Sequence, residues 1–68
     1  MSVSVSIYKV YDDNVLVSKH DTLNEARNAA QKYYKEKDGD CNLQICRYVF
    51  NKYESKYEKQ PTEYKIWL

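Results

Sequence analysis

A chain of 68 residues allows one domain and excludes a multi-domain enzyme. Folding at this size removes only about 60% of the unfolded chain's surface from water, so the core must be small and a deep substrate cleft is hard to build. With 11 Lys and Arg against 10 Asp and Glu the formal net charge is +1, which argues against both a strongly basic nucleic-acid clamp and a strongly acidic DNA mimic.

The first residues, Met1-Ser2-Val3-Ser4-Val5-Ser6-Ile7, alternate apolar and hydroxyl side chains, which is not the basic-then-apolar pattern of a secretion signal. Val3, Val5 and Ile7 at period two predict a strand from about Val3 to Tyr11 with one buried face. Asp12-Asp13-Asn14 tolerates turn geometry and precedes Val15-Leu16-Val17, so a β-hairpin is expected.

Thr22-Leu23-Asn24-Glu25 fits a capping box, in which a Thr side chain accepts from the N3 amide, and predicts a helix start. Leu23, Ala26, Ala29, Ala30, Tyr33 and Tyr34 then recur at three- and four-residue steps, a helical stripe whose small Ala residues let it sit close to a sheet. Lys35 and Lys37 suit the negative helix end, and Gly39 is the residue that takes a left-handed cap without steric cost.

From Cys41 the period returns to two, with Cys41, Leu43 and Ile45 on one face and Asn42 and Gln44 on the other. Arg47 breaks the pattern. Either it lies at the sheet margin, the reading taken here, or a β-bulge switches the inward set to Tyr48 and Phe50. Residues 51–62 alternate lysine, tyrosine and glutamate and end at Pro61; lack of Gly and the β-favouring Tyr residues point to a partly ordered hairpin over a mobile loop. Tyr64, Ile66 and Leu68 alternate with Lys65 and Trp67 as a last strand. The expected fold is α+β, ββαββ, a single domain with one helix packed on one face of a small antiparallel or mixed four-stranded sheet.

Catalytic groups are sparse. The single His, His20, and Cys41 lie at opposite ends of a predicted helix about 24 Å long and are not expected to meet. Cys41 and Cys46 are five apart, so on one strand their thiols point to opposite faces and neither bridges the other. Reduced thiols and a cytoplasmic protein are expected. No metal-ligand spacing occurs among His20, Cys41, Cys46, Asp38 and Asp40, and Asp38-Gly39-Asp40 lacks the rest of a calcium loop. No enzyme activity and no cofactor are predicted.

The eight Tyr are the more informative feature. If Val3, Val5, Ile7, Leu43 and Ile45 face the helix, the pleat sends Tyr8, Tyr48, Phe50 and Trp67 outward, with Arg47 or Lys65 nearby. Tyr53 of the Lys/Tyr/Glu segment joins this set. Such a face is a contact surface, a homodimer interface or a second small core; the alternative is ordinary cross-strand pairing of aromatics. Interleaved Lys also fits single-stranded nucleic acid, with bases stacked on rings. Residues 1–21 carry two basic and three acidic groups, 22–40 four of each, and 41–68 five basic and three acidic, so the balance is −1, 0 and +2 without a basic pole. The leading expectation is a non-enzymatic protein-binding module acting by surface occlusion, an accessory or inhibitor protein of the phage or mobile-element kind. A nucleic-acid-binding module is the second.

Overall fold

The computed structural model describes residues 5–64, 66 and 67. Two hairpins flank one helix in the order β1 (Ser6–Asp12), β2 (Val15–His20), α1 (Leu23–Glu36), β3 (Leu43–Asn51) and β4 (Lys56–Tyr64). The strands form one sheet in the order β2-β1-β3-β4 with every neighbouring pair antiparallel, so the domain is α+β with a single helix on a four-stranded antiparallel sheet. Because β2 and β3 both run antiparallel to the intervening β1, they are parallel to each other and α1 is the crossover between them. The helix packs across β2, β1 and β3 and makes no comparable contact with β4.

Local chemistry explains each turn. Asp13 and Asn14 have φ of 49° and 70°, the left-handed pair that a two-residue hairpin requires. Thr22 caps the helix, its hydroxyl accepting from the Glu25 amide at 3.2 Å. At the other end Gly39 N donates to the Tyr34 carbonyl at 2.9 Å and Asp38 N to that of Lys35 at 3.1 Å, the paired bonds of a Schellman cap. The left-handed cap position is therefore held by Asp38 (φ 53°), with Gly39 (φ 78°) the residue after it. The β3–β4 turn rests on Asn51, whose Oδ1 accepts from the amides of Tyr53 and Glu54.

The core is small. Val10, Ala26, Ala30 and Ile45 are fully buried, with Tyr8, Val17, Leu23, Leu43, Tyr64 and Ile66 packed around them. Three expectations change against this arrangement. The inner face of β1 is Tyr8 and Val10, not Val5 and Ile7; Val3 lies outside the described residues. The reason is the register, which sets Val10 opposite Ile45 and Tyr8 opposite Arg47 on the side the helix covers. Arg47 is not at the sheet margin: it lies mid-strand on the inner strand β3, opposite Tyr8, and no switch of faces occurs there, since the pairing with β1 is unbroken from Ser6↔Val49 to Asp12↔Leu43. The pairing is irregular at two other places: on β2, where Val17 is extra between Leu16 (opposite Tyr11) and Ser18 (opposite Val10), and on β4, where two extra residues fall between Lys59 (opposite Tyr48) and Glu63 (opposite Cys46), with Pro61, which has no amide to donate, within that stretch. Finally, the Lys/Tyr/Glu segment itself supplies the fourth strand, which ends at Tyr64. Ile66 and Trp67 instead close onto the helix: Gln31 Nε2 donates to the Ile66 carbonyl at 3.0 Å, and the Trp67 ring meets Tyr34 edge-on at 5.6 Å.

Candidate interaction surface

Alternation along each strand sends one set of side chains away from the helix. The register gathers Leu16 and Lys19 of β2, Ile7, Lys9 and Tyr11 of β1, Gln44, Cys46, Tyr48 and Phe50 of β3, and Tyr57, Lys59 and Glu63 of β4 on that side. No element of the described chain packs over them. The centre is ordered by its own contacts. Tyr11 Oη and Tyr48 Oη are 2.8 Å apart, the Lys9 ammonium lies 4.3 Å from the Tyr48 ring centre, and Phe50 meets Tyr57 edge-on at 5.3 Å. Burial and the hydrogen bond to Tyr48 push the Tyr11 hydroxyl up to about 12.

The expected contact residues divide among several places. Tyr48 and Phe50 lie on the uncovered face as predicted. Tyr8 does not: it is turned to the helix side, where its ring meets Tyr64 edge-on at 5.7 Å. Arg47 is on the helix side too, with a guanidinium nitrogen donating to Ser6 Oγ at 3.1 Å and a buried Nε that has no partner among the described residues. Trp67 is half-exposed beside the helix. Tyr53 projects from the β3–β4 turn and is 88% exposed, while Lys65 lies outside the described residues. Sequence reasoning missed Lys9, Tyr11 and Tyr57. The signal was Val10: an apolar residue in the same parity set as Tyr8 competes with Val5 and Ile7 for the inner face, and choosing it brings Tyr11 outward.

A groove of about 720 Å³ lies at the end of the β3–β4 hairpin, lined by Val5, Val49, Asn51, Tyr53, Glu58 and Gln60 among others. Its polar wall is self-satisfied in part, since Asn51 Nδ2 donates to Glu58 Oε1 at 2.8 Å.

The reactive side chains do not form a constellation. His20 Nε2 shares a 2.9 Å hydrogen bond with Ser18 Oγ at the end of β2. Both cysteines are free. Burial, then the charges of Asp12 and Asp40, raise the Cys41 thiol above its usual range, the direction opposite to an activated nucleophile. Among the described residues no group of three or more His, Cys, Asp and Glu side chains is placed to hold a metal ion, and no helix is long and apolar enough to cross a membrane. Comparison with protein-family models, curated proteins and solved structures finds no match to this chain.

Proposed function

We propose that the protein is a small non-enzymatic binding module that occludes a protein surface through the sheet face opposite its helix. One observation carries this reading: Tyr11, Tyr48, Phe50 and Tyr57 share a face that nothing in the described chain covers. Monomeric proteins rarely leave a contiguous apolar patch bare without a use for it, and Tyr supplies rigid area with a polar tip. The free edge of β2 adds to the surface, with Val15 and Leu16 67% and 51% exposed. An accessory or inhibitor role suits such a surface, and the two free thiols suit action in the cytoplasm.

Affinity capture with the wild-type chain and a Phe50→Ala, Tyr48→Ala double variant tests the reading. Partners retained by the wild type are expected to be lost from the double variant and kept by Trp67→Ala, whose side chain lies beside the helix. Equal capture by all three would make the aromatic face a second small core and nothing more.

A second reading, binding of single-stranded nucleic acid, draws on Lys9, Lys19 and Lys59. In the sequence Lys56-Tyr57-Glu58-Lys59 the glutamate falls on the opposite side from Tyr57 and Lys59, while Glu63, opposite Cys46, is the acidic residue that the register of β4 places on their side. Titration with single-stranded oligonucleotides at two salt concentrations tests it.

A further inference from the structure

On the uncovered face Lys9 of β1 stands directly opposite Lys19 of β2. Like charges so placed repel, and pairing them costs a sheet stability that most other residue pairs would not. The Lys9 ammonium rests over the Tyr48 ring, and in the same cross-strand row Cys46 of β3 stands between this lysine pair and Glu63 of β4. A third cation, Lys59, lies across Tyr48 on β4. The central strands thus present Ile7, Tyr48 and Phe50 with Lys9 beside them on β1, while Lys19 and Lys59 stand on the two edge strands. Apolar area next to cations of one sign suits a partner that offers apolar side chains and carboxylates together.

We propose that this face docks an acidic, aromatic-containing segment of a partner protein, with carboxylates received by the Lys9 and Lys19 pair and apolar side chains laid on Ile7, Tyr48 and Phe50. The inference rests on the occlusion reading above and adds the partner's chemistry. A second copy of this chain is the poorer occupant, because face-to-face packing sets two clusters of lysine against each other. Nucleic acid is poorer as well. The Lys9 ammonium already occupies one side of the Tyr48 ring, and Phe50 and Tyr57 lock each other edge-on, so few ring planes stand free for bases.

The test uses the full chain and three probes: a random copolymer of glutamate and tyrosine, polyglutamate, and an oligo(dT) of about 15 nucleotides. The copolymer is expected to bind most tightly, with affinity falling at least about tenfold in Lys9→Gln, Lys19→Gln and falling again between about 0.05 and 0.5 M salt. Lys9→Arg, Lys19→Arg should keep most of the affinity. Removing the like-charge pair should also raise the denaturation midpoint at low salt, which separates loss of binding from loss of fold. Tighter binding of oligo(dT), concentration-dependent self-association abolished by Tyr48→Ala, or copolymer binding indifferent to the lysines would each overturn the proposal. Should the copolymer not bind while capture of protein partners still requires Tyr48 and Phe50, the acidic partner is wrong and the occluding face stands. Should capture be indifferent as well, both readings fall.

Discussion

Tyr11 and Tyr48 join hydroxyl to hydroxyl at 2.8 Å although the strand register sets Tyr11 opposite Gln44 and Tyr48 opposite Ile7. Their side chains lean toward each other along the strands, across the row that holds Lys9 and Cys46. Cys46, on a face with no helix over it, is only 1% exposed. Tyrosine here serves the sheet as a lid before it serves any partner.

That lid should titrate. Burial and the bond to Tyr48 raise Tyr11 from its usual value of 10.0 to about 12, so the folded state holds its proton where the unfolded chain has lost it. The stabilisation is complete below pH 10 and is lost as pH rises from there towards 12. Urea midpoints measured across this range should fall with pH, and fall less steeply in Tyr11→Phe. At neutral pH each single Phe variant is expected to cost about 1 kcal/mol, and the double variant less than the sum. Tyr11→Ala should also speed alkylation of Cys46.

Asp12 predicts the acid side. Tyr33 Oη donates to its Oδ2 at 2.7 Å and the Asn42 amide to its Oδ1 at 3.1 Å, joining the end of β1 to the helix and to the approach to β3. The Tyr33 hydrogen bond, then that of Asn42, holds the carboxyl below its usual range. A depressed carboxyl adds stability above its unfolded value, and that contribution disappears as pH falls through the folded one. On lowering the pH, the Asp12 side-chain resonance should therefore titrate later in the wild type than in Tyr33→Phe, which lacks the largest cause of the depression. No change in that variant would deny the bond its role.

The elements were legible because their punctuation is local. Thr22 with Glu25, and Asp13-Asn14, each specify a backbone geometry without reference to the rest of the chain. Which face of β1 turns inward was not, because Val5 and Ile7 compete with Tyr8 and Val10, and the winner depends on where the helix lies along the strand. Choosing Ile7 placed Tyr8 outside and Tyr11 inside, and so misplaced part of the aromatic face while keeping Tyr48 and Phe50. The fourth strand was obscured by charge: exposed Lys and Glu make a poor apolar pattern, and the Asn51 turn that begins the return is its clearest sequence mark.

The helix cap can be tested through its two positive-φ residues. A Cβ added at Gly39 would lie 3.2 Å from Tyr34 Oη with φ at +78°, so Gly39→Ala meets strain and a close contact together. A cost of about 1–2 kcal/mol is expected in chemical denaturation. Asp38 already pays for φ 53°, so Asp38→Gly should be neutral or stabilising by about 0.5 kcal/mol. Equal losses at both positions would show that the Schellman geometry does not govern this end of the helix.

Ala26 and Ala30 are the buried residues of α1, and they face a sheet whose buried contribution there is Val10 and Ile45. Helix and sheet therefore meet at short range, with little side chain between them to rearrange. Ala30→Leu has almost no propensity cost, because Leu is nearly as good a helix former as Ala, so any loss reports overpacking; about 1–3 kcal/mol is expected. Asn28→Ala, at an exposed position of the same helix, should instead add about 0.5 kcal/mol. Ile45→Ala removes about 2–5 kcal/mol from a domain whose size suggests a total of only about 3–10, so it should be largely unfolded at 37 °C. Ile45→Val, at about 0.5–1.5 kcal/mol, should remain folded. An Ala30→Leu variant as stable as the wild type would mean that the helix can ride further from the sheet, and that its small residues are not what sets their separation.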